Sequence, residues 1–542
     1  MVALNKGEIP REEIIVKGQN VSFLTQDCSL GSFILDKLNK FEDKTAQIYS
    51  LTGESYTFRE IKDRSIRVAK QLRAHEVRLG DVISICSSNN PTSALALLAG
   101  TYVGAAVSPL DPSLNKSDVK HLMNITDPKI IFTEEGCLQM IEEVIQELHL
   151  TTEIVVFGDS DKHTTFSQFL NSSIDDANDF EPVNFTDPYD HIAYLMSSSG
   201  TTGLPKCVSI SHGAMIFQLQ LVMLAGYPST MVMLNMSSLF WITGVFITLL
   251  TITIGTIRIL TPPFEPLHIF QTIEKYKVSW MVLGVTYFAR MVTHPKVGDY
   301  DLRSLDMVGI SGAKASEKHL ADGKIVFPNC RLTSSYGMTE TSGNVFKLNY
   351  GVPSALGMLV PGMECKIVDT ESRVSLGPNQ KGEICFRGKA LFSGYYKNPI
   401  ATFDAVDNDG WLHTGDLGYY DDNECFYVEG RIKEQFKCKG WQISPIELES
   451  VLLKHPAIKE AAIIGVPHKV DVARARAFIV KRQNSNATEE DILSYMKEHV
   501  NPNKQITGGI IFVESLPTTP TGKIQRRGLV ELAKQYATGD EE

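Results

Sequence analysis

Between Val82 and Phe157 the chain repeats one pattern, a short apolar run followed by a helical stretch. Val82-Ile83-Ser84-Ile85, Ala106-Val107-Ser108-Pro109, Lys129 to Thr133 and Glu153 to Phe157 are each four or five residues long and rich in β-branched side chains. That length and composition suit buried strands and are too short for helices. Pro91 to Val103 between the first two reads as a helix opened by Asn90-Pro91. Strands alternating with helices dictate an open, mainly parallel sheet covered by helices, a doubly layered α/β architecture.

The texture changes twice further on. From Met363 to Tyr395 short alternating strands with glycine- and proline-containing turns (Cys365-Lys-Ile-Val, Gly382-Glu-Ile-Cys-Phe-Arg-Gly) point to a small antiparallel or barrel-like unit. After Glu434 a helix over Pro445 to Leu453, strands at Ala461 to Val466 and Ala477 to Val480, and a helix over Glu489 to Val500 make a compact α+β domain. A chain of 542 residues needs more than one core. The expected organisation is a large N-terminal domain over 1–430, a junction at 431–433 and a smaller domain over 434–542.

Leu239 to Ile257 carries no charge for 19 residues, the length of a membrane span. Gly255 interrupts it, and its threonine-rich, β-branched end suits a strand better than a lipid-facing helix. The expectation is a buried helix from Trp241 to about Leu250 and a buried strand ending at Leu260. With 52 Lys and Arg against 63 Asp and Glu the net charge is −11, which offers no footprint for nucleic acid or an anionic membrane. Nine cysteines occur without a C-x-x-C pair, so reduced thiols in a cytosol-like compartment are expected. The end, Asp540-Glu-Glu542, is no peroxisomal signal, and a cytoplasmic location follows as an expectation.

Chemistry concentrates in five segments. Ser197 to Lys206, SSSGTTGLPK, gathers hydroxyls, two glycines and a lysine, which is a phosphate-cradling composition. Its spacing is not that of a P-loop: Pro205 blocks a helix start, and Cys207 stands where a P-loop has its Mg²⁺-binding hydroxyl. Tyr336-Gly-Met-Thr-Glu340 offers an aromatic ring, a hydroxyl and a carboxylate. Thr414-Gly-Asp416 sets an acid after a tight turn, Gly430-Arg-Ile-Lys433 marks the junction, and Pro520-Thr-Gly-Lys523 carries a lysine on a turn.

In this order, the five segments resemble the adenylate-forming superfamily of acyl-CoA synthetases, 4-coumarate–CoA ligases and beetle luciferases. The resemblance runs through essentially the whole chain and is strongest to insect luciferase-like acyl-CoA synthetases. It implies a carboxylic acid substrate, ATP with Mg²⁺, and coenzyme A. The acid would form an acyl-adenylate with release of pyrophosphate, and the thiol of CoA would then displace AMP.

By the same resemblance Ser198, Ser199, Gly200, Thr201, Thr202, Gly203 and Lys206 wrap the β- and γ-phosphates. Gly312, Ala313, Tyr336 and Gly337 border adenine, Thr339 touches the α-phosphate, and Glu340 holds the metal. Asp416 accepts from the ribose hydroxyls, and Arg431 adds a ribose or phosphate contact. Lys523 neutralises the attacking carboxylate and the α-phosphate. Lys433 is the hinge, and Lys437, with Lys439 and Gly440, either serves the second step or is an ordinary surface lysine. Phe240, Trp241, Gly244 and Asn344 border the acyl group.

The sequence departs from the family at Cys207, usually glycine, and at Trp241, where beetle luciferases carry histidine. Asn344 replaces a small apolar residue. These changes weigh against oxidation of luciferin more than against adenylation. An acid–thiol ligase is the preferred reading, ahead of a light-emitting monooxygenase and a catalytically silent binder. Chain length, physiological acid and oligomeric state are open.

Overall fold

The computed structural model describes residues 13–21, 28–172, 179–198, 204–312, 315, 317–347, 355–438, 441–483, 485–518 and 523–536. Ser199 to Gly203, Ala313, Lys439, Gly440 and Pro520 to Gly522 therefore lie outside the described residues.

The repeated run-and-helix pattern builds a seven-stranded sheet. Its order is Lys206–Ser211, Ile192–Ser198, Ala106–Leu110, Val82–Cys86, Ile130–Glu134, Glu153–Phe157 and Thr164–Thr165. All neighbours run parallel except the first two, which form an antiparallel pair with Lys206 opposite Ser198. A second seven-stranded sheet runs Arg331–Ser334, Met307–Ser311, Trp280–Gly284, Val232–Asn235, Ile257–Leu260, Thr45–Tyr49 and Ser55–Thr57, parallel but for its last pair.

Two helices with almost no polar face lie at the heart of this double layer. Every residue of Ser93–Val103 is buried, and so is most of Ile242–Ile254. Both belong to one apolar core with residues of both sheets, which accounts for their uniform hydrophobicity. The charge-free stretch is thus a buried helix and the Ile257–Leu260 strand. The helix begins one residue later and ends four later than expected. Trp241 is its N-cap in extended conformation, and Gly255 closes it with φ +71°. A side chain at Gly255 would meet the Phe41 ring at 2.5 Å. Among the described residues no helix is long and apolar enough to cross a membrane.

The barrel-like unit is a six-stranded antiparallel sheet made mainly of Met363–Val368, Gly382–Gly388, Leu412–Tyr420 and Phe426–Arg431. Beyond it Trp441–Ile443, Phe436–Cys438, Val472–Lys481 and Ile458–His468 form an antiparallel sheet, to which Ile510–Phe512 adds in parallel. Helices Pro445–Leu452, Glu489–His499 and Arg526–Lys534 complete an α+β domain. Its two long strands extend several residues beyond their apolar centres, because polar residues continue the pairing out to His468 and Val472. All nine cysteines are free thiols.

Candidate active site

Ser198 and Lys206, the described residues on either side of 199–203, face each other in the antiparallel pair Ile192–Ser198 and Lys206–Ser211. They lie at the carboxyl end of a mainly parallel sheet, where open α/β sheets bind ligands. A strand, not a helix, follows Pro205, as the non-P-loop spacing implied. Side chains alternate along that strand. Lys206 turns to the Tyr395 ring, with Nζ 4.5 Å from its centroid. Cys207 turns inward to Cys86, Leu110 and Leu122. Burial pushes the Cys207 thiol up to about 12. Cys207 is thus a core residue on an ordinary extended strand.

The carboxylates come from two separate turns. Thr339–Thr341 is a single 3₁₀ turn that follows the Arg331–Ser334 strand, and it buries Glu340. The Tyr395 hydroxyl donates to Glu340 Oε1 at 2.9 Å. Among the described residues the other carboxylate oxygen has no hydrogen bond, so Glu340 offers a hard anionic ligand of the kind Mg²⁺ takes.

Asp416 is 5% exposed and is held by a built turn. The Thr414 hydroxyl donates to the Ile384 carbonyl at 2.7 Å and accepts from the Asp416 amide at 3.0 Å. The Gly415 amide donates to Glu383 Oε1 at 3.0 Å, and Glu383 is fixed in turn by His413 at 3.0 Å. Asp416 then uses one oxygen for each of two partners. Arg431 Nε lies 2.8 Å from Oδ1, and the Tyr336 hydroxyl donates to Oδ2 at 2.5 Å. Burial raises the Asp416 pKa, against the opposing pull of Arg431 and Tyr336.

Lys523 comes to these groups from the other domain. Solvent still reaches its side chain. The surrounding protein nonetheless lowers its pKa, Arg431 adds to that, and Asp416, Glu340 and Glu434 oppose it. Gly312 makes room for it: φ there is +89°, and a Cβ would stand 2.9 Å from Lys523 Cε. Gly312→Ala is therefore expected to displace the lysine and to strain the turn by about 1–3 kcal/mol. Adenylate formation should fall about tenfold or more with little change in thermal melting. Wild-type rates in a pyrophosphate-release assay would show that the Gly312–Lys523 approach is unimportant.

The structure thus brings together Lys206, Glu340, Tyr336, Asp416, Arg431, Gly312 and Lys523. It does not bring Lys437 to them: that lysine is exposed on the Phe436–Cys438 strand. Lys433 is exposed in the 3₁₀ turn Ile432–Glu434 between the domains. Thr339 and Gly337 adjoin Glu340 and Tyr336, and Gly337 pairs with Asn344 in a two-residue ladder. Phe240 is buried beside half-buried Trp241, their rings 5.6 Å apart. Gly244 is accounted for by packing, since a Cβ would lie 2.1 Å from the Ser238 carbonyl oxygen.

Tyr395 escaped the sequence reading, although it touches both Glu340 and Lys206. Its only signal was the pair Tyr395-Tyr396 after Ser393-Gly394.

Comparison with known proteins identifies the family. Residues 35–396 match the family described as "AMP-binding enzyme", and residues 447–523 match "AMP-binding enzyme C-terminal domain". A luciferin 4-monooxygenase of Luciola mingrelica is 30% identical, covering 97% of this chain and 99% of its own. 4-Coumarate–CoA ligase 1 of Petroselinum crispum is also 30% identical, covering 98% of each chain. The solved luciferase-like enzyme from the nonluminescent Zophobas morio mealworm superposes with a TM-score of 0.72 at 33% identity. That match covers 78% of this chain and all of that one. The chain belongs to the AMP-binding enzyme family, the adenylate-forming enzymes among which are acid–CoA ligases and luciferases.

Proposed function

We propose that the protein is an ATP-dependent acid–CoA ligase acting on a fatty or aryl carboxylic acid. The observation that carries this reading is the approach of Lys523 to Gly312, within the electrostatic reach of Glu340 and Asp416. An acid and a triphosphate repel each other, so positive charge where they meet is what the first step requires.

In that step an acid oxygen attacks the α-phosphorus and pyrophosphate leaves. Lys523 stabilises the charge shared by the two, Lys206 and residues 198–203 hold the departing phosphates, and Thr339 faces the α-phosphate. Tyr336 and Gly312 to Ala313 flank adenine, with Gly337 beside them. Asp416 and Arg431 orient the ribose. Glu340 is suited to hold Mg²⁺, which when bound neutralises phosphate charge. In the second step the CoA sulfur attacks the acyl carbonyl and AMP leaves. For this step we assign Lys437, Lys439 and Gly440, exchanged for Lys523 by rotation at Lys433, with the domains divided at 1–430 and 434–542. Placing each lysine on a moving domain ties charge stabilisation to closure.

Phe240, Trp241 and Asn344 would border the acyl group. A half-buried indole favours apolar tails. Trp241→Ala should extend the range toward longer saturated acids, at about 0.8 kcal/mol per added CH₂ accommodated. A chain-length profile of pyrophosphate release checks this, and an unchanged ranking in a destabilised protein would assign Trp241 to packing alone.

A screen of carboxylic acids by pyrophosphate release tests the reading as a whole. ATP cleavage to AMP with at least one acid supports it, and none with any acid overturns it.

A further inference from the structure

Three side chains of different chemistry meet on one face of the barrel-like sheet, beside the turn that carries Asp416. Glu383 and Cys385 stand two residues apart on the Gly382–Gly388 strand, so both project to the same face. His413 is paired with Cys385 across the neighbouring Leu412–Tyr420 strand. A carboxylate oxygen, the thiol sulfur and a ring nitrogen of the three all lie within 4.8 Å of one another. Among the described residues no other three Cys, His, Asp or Glu side chains meet that closely.

The convergence is centred on His413 Nδ1, which lies 3.0 Å from Glu383 Oε2 and 3.4 Å from Cys385 Sγ. Around a tetrahedral Zn²⁺, bonds of about 2.0–2.3 Å give nitrogen–oxygen and nitrogen–sulfur edges of about 3.3–3.6 Å. Movements of a few tenths of an ångström therefore admit the ion.

The far side of the ring is oriented as a metal-bound histidine requires. His413 Nε2 faces Asp407 Oδ2 at 3.4 Å, and the Trp411 and Asp409 amides donate to Asp407 Oδ1 at 2.9 and 3.0 Å. A fixed carboxylate at Nε2 draws the proton there and leaves Nδ1 free to ligate. Glu383 and Cys385 are buried and His413 is half-buried. Arg373 Nη1 holds Glu383 Oε2 at 2.6 Å, but its side chain is 61% exposed and can swing into solvent to give its place to an ion. Sulfur, imidazole and carboxylate together suit a borderline ion such as Zn²⁺ and not Mg²⁺, which takes oxygen ligands.

We propose that Glu383, Cys385 and His413 form a binding site for Zn²⁺ or a divalent ion of like softness, with a fourth position left to water. The Cys385 thiol gives its proton to solvent as the sulfur–metal bond forms. The site is separate from Glu340 and is joined to the ribose turn, because Glu383 Oε1 accepts from the Gly415 amide at 3.0 Å, next to Asp416. An ion on Oε2 thus fixes the carboxylate that shapes that turn.

The test titrates the reduced, metal-free full chain with Co²⁺, which takes zinc sites and reports a thiolate ligand by sulfur-to-cobalt charge-transfer absorption. One Co²⁺ per chain with that absorption is expected, bleached by equimolar Zn²⁺ and untouched by excess Mg²⁺. Cys385→Ala should abolish the absorption, and Cys385→Ser gives the same reading should the alanine variant fail to fold. Asp407→Asn keeps all three ligands but loosens the histidine, and should raise the Co²⁺ dissociation constant by about tenfold or more. A wild-type protein without sulfur-to-cobalt absorption overturns the proposal. So does absorption that survives undiminished in both Cys385 variants, which would put the ion on another of the nine cysteines.

Discussion

Replacing Lys523 by alanine is expected to cut acyl-adenylate formation by about 10²–10³, the usual effect of removing a preorganised charge or donor from a reacting centre. Formation of the thioester from a supplied acyl-adenylate should largely survive. The split follows from position: Lys523 lies over Gly312 and near Glu340 and Asp416, whereas Lys437 stands apart on an exposed strand. Removing a solvent-reached lysine should leave the melting temperature nearly unchanged. Rapid-quench measurement of each half-reaction checks this, and equal losses in both would show that Lys523 does not belong to one step.

Glu340→Gln should be comparably damaging for a different reason. Glutamine keeps the shape and still accepts the Tyr395 hydroxyl, which now donates at 2.9 Å. It loses the charge a divalent cation needs. Adenylate formation is expected to fall by about 10²–10³, with the Mg²⁺ concentration for half-maximal rate shifted upward. The Tyr395 bond is kept, so thermal stability should be nearly unchanged. A collapsed fold with an unchanged Mg²⁺ requirement would mean that Glu340 is structural.

How legible this was depended on whether each feature is local. The strand at Glu153–Phe157 and the helices near Pro445 and Glu489 declare themselves in a few neighbouring residues, and their ends agree closely with the structure. The Trp241–Leu260 stretch was also legible as helix then strand. Its helix ran longer because the threonines satisfy themselves: Thr248, Thr251 and Thr253 donate back to carbonyls one turn earlier.

Cys207 read in sequence only as a departure beside Lys206; strand alternation sends the two neighbouring side chains to opposite faces, so the thiol packs in the core while the lysine faces Tyr395. Tyr395 with Glu340, and Lys523 with Gly312, are partners separated by long stretches of chain. No periodicity encodes such a pair, and only the folded sheets bring it together. The same holds for Glu383 and His413, which meet only when their strands pair.

The most direct test of the ligase assignment is a product balance on the wild-type protein. ATP, Mg²⁺, an acid identified by the screen and coenzyme A are supplied, with photon counting in a parallel reaction containing luciferin and oxygen. The account predicts AMP, pyrophosphate and acyl-CoA in equal amounts, thioester formation that stops when CoA is withheld, and no light above background. Light emission with oxygen consumption and no acyl-CoA would contradict it.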